Sequence, residues 1–312
     1  MNEPTVTVVV PVYQRLHYLQ EALPSALRQT YRDFELIVSD DGASDAIARY
    51  VSSLGDPRIR YRRNARNLGI ALNNYAAFAE ARGKYISSLH DDDLWEPGFL
   101  DALVPPLEAD ETIALAFSDH HVIDAEGRVL PGPSEANSRL YRRHLLKPGR
   151  HQPFLKEAVI DLAVPMAMAA VFRKSILQGA LYSKRIGGSY DHWLTYLAVK
   201  DGQACYYVPE RLTRYRVHSD SGSSRRGVRN LRDSIYIRRL FLQDDRLAPY
   251  RKILRNGLGV HYGKMAIYYL SHRSYRRGRI FLQQAFSLLN RPKNMAALAV
   301  QALLAWARGE GR

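Results

Sequence analysis

The sequence predicts an α/β protein in which a mostly parallel sheet is flanked by helices and is followed by a helical C-terminal extension. Two observations support this prediction. In the first part of the chain, short β-branched runs alternate with segments whose apolar residues recur at helical spacing. From about residue 226 the pattern is helical throughout. We therefore expect two parts, 1–224 and 225–312, and the first should divide into halves of about 1–110 and 111–224.

The first half should contain four strands separated by helices. TVTVVVPVY (5–13) is typical of a buried strand, and LHYLQEALPSALRQTY follows as a helix that Pro24 either kinks or begins. FELIVSDDGASD (34–45) is the second strand, AIARYVSSL a helix, and RIRYRRN (58–64) the third strand. NLGIALNNYAAFAEA should be helical, with KYISSLHDDD as the fourth strand.

The second half has a less regular pattern. We expect a helix to about Ala109, a strand over 114–124 and an irregular stretch around PGPSEANS. GGSYDHWLTYLAVKDG should be a helix, and QACYYVPERLTRYRVH one or two strands. In sheets of this kind ligands bind beyond the carboxyl ends of the strands. Here those ends are PVYQR, SDDGASD and HDDDLW, which bring polar and acidic groups to one edge.

Composition narrows the class of protein. The 312 residues are 46% hydrophobic, which suffices for one large α/β domain with an appendage. Because Cys205 is the one cysteine, an internal disulfide and a thiol-based metal cluster are excluded, and a reducing compartment is favoured. The N-terminus lacks a basic leader, and no apolar run reaches the roughly 18 residues that span a membrane. We expect a cytoplasmic protein.

Positive charge is concentrated in the C-terminal part. Residues 225–312 contain 19 Lys and Arg against 4 Asp and Glu, whereas the other 224 residues contain 26 against 27. This tail is either a solvated basic face or a surface that attracts anionic membrane lipid or nucleic acid. Since no aromatic-basic motif or recognition helix is recognisable, we expect no nucleic-acid partner.

Three consecutive acids, Asp91, Asp92 and Asp93, follow the fourth strand. Capping the next helix needs only one acid, and either Asp91 or Asp93 could provide it. Carboxylate oxygens also bind Mg²⁺ or Mn²⁺, with a substrate's phosphates as further ligands. The triplet therefore indicates either a divalent cation site or a solvated cap.

A second acidic pair, Asp40 and Asp41, ends the second strand, where an acid could accept hydrogen bonds from a ribose or a base. The alternative is an ordinary turn, since DDG is favourable turn chemistry. The chain has neither a Walker A loop nor GxGxxG, so metal and side-chain cations would have to bind phosphates. Arg66 and Asn67 lie where a helix begins and could serve an anionic nucleotide.

Several of these segments together resemble the family-2 glycosyltransferases, which have the nucleotide-diphospho-sugar (GT-A) fold. The matching pieces occur in the family's order: VVVPVYQR, ALRQTYRDFELIVSDDGASD and RNARNLGIALNNYAAFAEARGKYISSLHDDDLWEPGFL. Further on, GGSYDHWLTYLAVKDG and LTRYRVHSDSGSS are similar to the acceptor-side helix and the closing segment. The resemblance covers about residues 5–224 and rests on five motifs in order.

The resemblance implies a set of nucleotide-binding residues. Pro11 and Tyr13 would line the nucleobase pocket, with Asp41 reading the base and Asp40 close by. Arg66 and Asn67 would help to hold the nucleotide. An acid that reads the base favours the N3–H of uracil or thymine, so UDP is the first expectation, with dTDP or GDP as alternatives.

In the family the metal-binding segment reads apolar–Asp–x–Asp–Asp–apolar–x–x–Pro. Anchored on Leu94 and Pro97, that register makes Asp92 the direct ligand of Mn²⁺ or Mg²⁺ and places Asp91 near ribose or phosphate. Asp93 would support the metal or cap the helix, and it becomes a ligand in the alternative register Asp91-x-Asp93. His90 stands where the family has its first Asp, and a histidine suits Mn²⁺ better than Mg²⁺.

The resemblance also assigns the acceptor side. Asp191 matches the catalytic carboxylate, although Tyr190 replaces the Glu that usually precedes it. The alternative for Asp191 is a helix N-cap after GGSY. Trp193 would stack on an acceptor sugar or pack in the core. Arg216 would touch the diphosphate, and His218 the metal, unless both lie at an exposed strand end.

These assignments predict an inverting, metal-dependent glycosyltransferase acting on a saccharide or lipid-linked saccharide. The apolar segment 294–307 ends in Trp306 and has basic flanks at Arg291, Lys293, Arg308 and Arg312. It could attach 225–312 to an anionic membrane as an interfacial helix, or pack on the catalytic domain or a dimer partner. The alternatives for the whole chain are a non-catalytic relative and a protein that binds nucleic acid or membrane through its tail.

Overall fold

A computed structural model describes residues 3–42, 44–219, 221, 227–289 and 292–310, with backbone alone at 292–294 and 306–310. The chain divides into two compact units, Met1–Ser221 and Gly222–Arg312. The boundary predicted after residue 224 stays a prediction, because 222–226 lie outside the described residues.

The first unit alternates strands and helices, as the sequence predicts. Its strands are β1 (Val6–Val12), β2 (Phe34–Asp40), β3 (Ile59–Arg63), β4 (Tyr85–Ser88), β5 (Leu94–Trp95), β6 (Ile113–Ile123), β7 (Gly149–His151), β8 (Ala170–Arg173) and β9 (Ala204–Arg216). Its helices are α1 (Leu16–Leu27), α2 (Asp45–Ser53), α3 (Ile70–Ala79), α4 (Phe99–Ala109), α5 (Pro131–Leu140), α6 (Leu155–Val159) and α7 (Tyr190–Val199).

All nine described strands form a single sheet, in the order β3-β2-β1-β4-β8-β6-β9-β5, with β7 paired to β9. The half formed by β3, β2, β1 and β4 is parallel. Beyond β4 the sheet is mixed, because β8 is antiparallel to both of its neighbours while β6 and β9 are parallel. The predicted α/β fold with helices on the sheet is confirmed.

Burial explains why the central strands form. Every residue of β1 and β2 is buried, which is what β-branched runs achieve in a parallel sheet with both faces covered. Gly83 lets β1 and β4 come together, because a Cβ there would lie 2.5 Å from the Thr7 amide nitrogen and 2.9 Å from the Tyr85 carbonyl oxygen. The sheet therefore brings the ends of β1, β2 and β4 to one edge.

One local prediction is wrong. The stretch around PGPSEANS is not irregular but forms α5, which begins with Pro131, at a position where a missing amide costs nothing. Ser134 fixes this helix to the sheet, since its hydroxyl accepts a hydrogen bond from the Val122 amide. For Pro24 the sequence left two alternatives open, and the structure excludes the first turn, because Pro24 lies inside α1.

The second unit is helical, as predicted. Its helices are α8 (Gly227–Gln243), α9 (Arg251–Ser271), α10 (Tyr275–Leu288) and α11 (Pro292–Glu310). They share an apolar core that includes Ile235, Leu258, Met265, Leu289 and Leu298. Among the described residues no helix combines the length and the apolar character needed to cross a bilayer.

Candidate active site

The candidate site lies beyond the carboxyl ends of β1, β2 and β4. Tyr13 and Arg15 follow β1, Asp40 and Asp41 end β2, and the segment from His90 to Asp93 follows β4. Because β1 pairs with both β2 and β4 in parallel, these three ends are neighbours. The edge that the sequence predicts from its polar strand ends is therefore formed.

The acid triplet is buried, and one arginine bridges two of its members. Asp91, Asp92 and Asp93 are 1%, 8% and 0% exposed. The guanidinium of Arg15 forms ion pairs with both Asp91 and Asp92. The Tyr13 amide also donates to Asp91 Oδ2 at 3.3 Å. Burial raises the pKa of Asp91, and the positive charge of Arg15 opposes that rise.

Asp92 is the most strongly charge-compensated of the three acids. His218 Nε2 lies 3.1 Å from Asp92 Oδ2. Burial would raise the pKa of Asp92, but the charges of Arg15 and His90 and the hydrogen bond from His218 outweigh burial and lower it. Asp92 is thus held as a carboxylate, the form that a metal ligand requires.

Arg216 holds the acid segment from inside the fold. It is 1% exposed, its amide donates to Asp93 Oδ1 at 2.9 Å, and its Nε donates to the Asp92 carbonyl at 2.9 Å. Its remaining nitrogens donate to the Ala125 carbonyl and to Glu21. In this structure the guanidinium therefore positions the acid segment, and a contact between Arg216 and a diphosphate stays a prediction.

His90 joins the acid triplet to the start of α7. Its Nδ1 lies 2.9 Å from Asp93 Oδ2, and its Nε2 lies 2.5 Å from the Tyr190 hydroxyl. Burial lowers the pKa of His90, but the hydrogen bond to Asp93 and the charges of Asp191, Asp93 and Asp92 outweigh it and raise the pKa to about 9. A protonated His90 donates from both nitrogens, to Asp93 and to Tyr190. The two residues that depart from the family pattern, His90 and Tyr190, are therefore in direct contact.

Asp191, in the first turn of α7, lies close to His90. Its Oδ1 is 4.0 Å from His90 Nε2 and accepts the Ala167 amide at 2.8 Å. Burial raises the pKa of Asp191, and the charge of His90 opposes the rise. Such a carboxylate is a stronger base than an exposed aspartate, as proton abstraction near neutral pH requires. The structure brings Asp191 to the same edge as the acid triplet.

The two acids after β2 bind protein groups. Asp41 accepts the Asn64 side chain at 2.9 Å and the Leu68 and Gly69 amides at 2.8 Å, which fixes the loop before α3. Asp40 accepts the Tyr61 hydroxyl at 2.6 Å and Arg63 Nε at 3.1 Å. Asp40 also accepts the Gly42 amide at 2.8 Å, so each of the two acids has three donors among the described residues. A carboxylate has about four acceptor positions, and a contact between Asp41 and a base stays a prediction.

The other predicted site residues differ in accessibility. Tyr13 is 43% exposed at the site edge, whereas Pro11 is buried within β1. Arg66 and Asn67 are exposed, and Asn67 donates to the Asp41 carbonyl at 3.3 Å. Trp193 is buried, and its Nε1 donates to the Leu181 carbonyl at 3.2 Å, which favours the core-packing alternative for this residue.

A divalent cation fits the donor set at this edge. His90, Asp92 and Asp93 each offer a ligand atom, and these atoms all lie within 4.8 Å of one another. Two carboxylates and an imidazole suit Mn²⁺, provided that His90 loses its proton when the cation binds. Of the predicted ligands, Asp92 and Asp93 belong to this group of described residues. The third member is His90 and not His218, which instead lies within hydrogen-bond distance of Asp92.

Comparison with known proteins decides the family. The family model described as Glycosyl transferase family 2 matches residues 7–178, more than half of the chain. The chain belongs to this family. Membership supports a transferase as the enzyme class.

One protein that is similar to this chain is named for a biosynthetic role. A putative colanic acid biosynthesis glycosyl transferase of Escherichia coli is 30% identical over 154 residues, 46% of this chain and 55% of the relative. The first curated relatives are longer than the matched region, and the chain spans 55% to 65% of their length.

Two solved structures are similar in fold to this protein and confirm its GT-A fold. The S. aureus TarS 1-349 complex with UDP-GlcNAc has a TM-score of 0.68 at 13% identity, covering 98% of this chain and 91% of that one. A mannosyltransferase from Pyrobaculum calidifontis, in complex with GDP-Man and Mn²⁺, has a TM-score of 0.61 at 16% identity, covering 99% and 85%.

Sequence reasoning missed Arg15 and underestimated His90 and Tyr190. Arg15 is visible in the sequence as the first cation after β1, but no spacing shows that it reaches Asp91 and Asp92. His90 and Tyr190 stand out separately as departures from the family pattern. Their contact joins positions 100 residues apart, so only the fold shows that the two departures belong together.

Proposed function

We propose that this chain is an inverting, metal-dependent glycosyltransferase that transfers a sugar from a nucleotide diphosphate donor to a hydroxyl group. The observation that carries the proposal is the approach of Asp191 to the acid triplet. Its carboxylate lies 4.0 Å from His90, which itself hydrogen-bonds Asp93. A base and a cation site thus share one edge, as transfer from a diphosphate requires.

Asp191 is the proposed general base. It takes the proton of the acceptor hydroxyl while that oxygen forms a bond to the anomeric carbon of the donor. The bond from the anomeric carbon to the diphosphate oxygen breaks, and its electron pair leaves with the diphosphate. Because the acceptor attacks opposite the leaving group, this single displacement inverts the anomeric centre.

Asp92, Asp93 and His90 are the residues proposed to hold Mn²⁺ or Mg²⁺, with Asp91 near the ribose or phosphate. The cation, when bound, offsets charge on the departing diphosphate. Within the protein, Arg15 and His218 keep Asp92 ionised and in place. Both nitrogens of His90 are hydrogen-bonded and the imidazole is protonated, so its use as a ligand would require loss of a proton and release of Tyr190 or Asp93.

A UDP-sugar is the favoured donor, with dTDP and GDP as alternatives. The remaining acceptor position of Asp41 suits the N3–H of uracil. The TarS complexes with UDP and UDP-GlcNAc and the mannosyltransferase complex with GDP-Man and Mn²⁺ support a nucleotide sugar and a divalent cation. The colanic acid biosynthesis relative supports a role in polysaccharide synthesis, and the acceptor that we propose for such a role is a saccharide or a lipid-linked saccharide.

Peripheral attachment to the inner face of the cell membrane is the proposed role of residues 225–312. The excess of basic residues in this part supports that role. Of the flanks noted in the sequence, Arg291 and Arg312 lie outside the described residues, as do the side chains of Lys293, Trp306 and Arg308.

A donor-hydrolysis screen tests the catalytic proposal. UDP-, dTDP- and GDP-sugars are incubated with the full chain and Mn²⁺ or Mg²⁺, beside Asp92→Ala, Asp191→Ala and the exposed-acid control Asp201→Ala. We expect hydrolysis of one nucleotide class, lost on removal of the cation and in Asp92→Ala. Undiminished hydrolysis in Asp191→Ala would eliminate the proposed base, and no hydrolysis or binding of any donor would point to a non-catalytic relative.

A further inference from the structure

The outer face of α11 is an exposed apolar stripe. Val300, Leu303 and Leu304 are 56%, 64% and 51% exposed, and their spacing places them on one side of the helix. The opposite side, with Leu298 and Ala302, is buried against the rest of the unit. A helix that only packed in a core would not carry its larger apolar side chains on the outside.

A cluster of exposed arginines lies at the beginning of α10. Arg273 precedes this helix, and Arg276, Arg277 and Arg279 belong to it. No Asp or Glu occurs in the sequence between Arg246 and Gly309. These arginines therefore lie in a stretch of 62 residues without a carboxylate.

Leu270 shows that the apolar stripe and the arginine cluster lie at the same end of the helical unit. A Cβ added at Gly278, among the arginines of α10, would lie 2.6 Å from the Leu270 side chain. Ala302 and Ala305 of α11 pack with the same leucine. Leu270 therefore packs against both α10 and α11, so the helix that carries the stripe and the helix that carries the arginine cluster meet the same residue at this end of the unit.

We propose that this combined surface, the apolar stripe of α11 with the arginine cluster of α10, docks on a bilayer of anionic phospholipid. The inference deepens the proposed membrane attachment of residues 225–312 and rests on it. Apolar side chains of an interfacial helix enter the boundary between headgroups and acyl chains, while nearby arginines bind lipid phosphates. A second copy of the chain is a poorer occupant, since it would bring together two units that each have a large excess of basic residues.

Flotation of the full-length protein with phosphatidylcholine vesicles, with and without phosphatidylglycerol, tests the surface. We expect binding to the vesicles that contain phosphatidylglycerol, weakened about tenfold or more by Val300→Ser/Leu303→Ser/Leu304→Ser. The triple variant Arg276→Gln/Arg277→Gln/Arg279→Gln should weaken it by a similar factor and remove the dependence on phosphatidylglycerol.

The controls replace exposed side chains of the same types in the first unit, as Leu140→Ser/Leu145→Ser and Arg128→Gln/Arg139→Gln/Arg142→Gln. They should bind vesicles as the unsubstituted protein does. Equal flotation of all variants would overturn the proposal. A second result would also overturn it. In that case the unsubstituted protein is a dimer in sedimentation velocity and binds no vesicles, and the α11 variant is a monomer.

Donor hydrolysis without vesicles is measured on the same samples. We expect it to be unchanged in the α10 and α11 variants, since these residues lie outside the candidate active site. Vesicle binding without donor hydrolysis would reject the catalytic proposal alone, whereas hydrolysis without vesicle binding would reject the docking surface alone.

Discussion

The Nε2 atom of His90 lies 2.5 Å from the hydroxyl of Tyr190, and this contact joins the segment that carries the acid triplet to the helix that carries Asp191. Both residues depart from the family pattern, in which acids occupy their positions. The Tyr190 hydroxyl also lies 3.4 Å from Ser88 Oγ, which donates to Asn74 Oδ1 at 2.8 Å. Burial raises the pKa of Tyr190, so the hydroxyl stays neutral and serves as a fixed partner for the imidazole.

Replacing Tyr190 by Phe should slow the reaction without weakening donor binding. The loss of a hydrogen bond to a charged imidazole costs about 1.5–3 kcal/mol, so we expect kcat to fall about tenfold or more while the donor KM changes less than about twofold. Steady-state kinetics with varied donor measures both. Tyr75→Phe is the control, because the Tyr75 hydroxyl is buried without a hydrogen-bond partner among the described residues. Equal kcat in the two variants would contradict the positioning role.

Arg15→Gln should make the fold depend on a divalent cation. Removing the guanidinium leaves Asp91 and Asp92 buried beside each other, which should cost about 3 kcal/mol without added metal. Mn²⁺ should then raise the melting temperature more in this variant than in the unsubstituted protein. Thermal melts with and without Mn²⁺ measure the difference. Arg142→Gln, at an exposed position, should behave as the unsubstituted protein. An equal effect of Mn²⁺ on all three would show that Arg15 does not compensate the acids.

His120 should make the first unit less stable in acid. Burial, and then the charge of Arg143, lowers its pKa to about 3, whereas an unfolded histidine titrates near about 6.5. Between these values the unfolded state binds the extra proton, so stability falls as the pH falls, by about 2 kcal/mol from His120 between about pH 6.5 and pH 5.

Urea unfolding at pH 7 and pH 5, followed by tryptophan fluorescence, measures this dependence. In His120→Gln the free energy of unfolding should fall by about 2 kcal/mol less between pH 7 and pH 5 than in the unsubstituted protein, whatever its value at pH 7. The exposed-site control His144→Gln should show the full fall. The same dependence in both variants would mean that His120 is not the group responsible.

Gly83→Ala should destabilise the sheet beneath the site. The new Cβ would lie 2.5 Å from the Thr7 amide nitrogen and 2.7 Å from the Val6 carbonyl carbon, and backbone atoms cannot move aside as a flexible side chain can. We expect a loss of about 3 kcal/mol in the free energy of unfolding, measured in urea. Gly132→Ala, where no atom lies within 4 Å of the added Cβ, should leave stability unchanged or slightly raised. Equal stability of the two variants would show that β1 and β4 can separate without cost.

The sequence alone predicts much of the first unit. Buried β-branched strands and the helices between them follow from periodicity, because side-chain spacing differs between strand and helix. The acids after β2 and β4 also predict a polar edge, since parallel strands end together. Periodicity does not predict the α5 helix, because its apolar content is low and its two prolines suggest a loop. Its contact with β6 stabilises it instead.

What the sequence determines about this protein is therefore its family, its strand order along the chain and the residue types at the functional edge. The tertiary structure alone decides which of those residues meet. Arg15 reaches Asp91 and Asp92, and His90 reaches Tyr190, because the sheet brings together segments separated by about 75 and 100 positions. Periodicity reports the local conformation of a segment. The partner of a buried charge depends on packing between distant segments, and burial makes that pairing necessary.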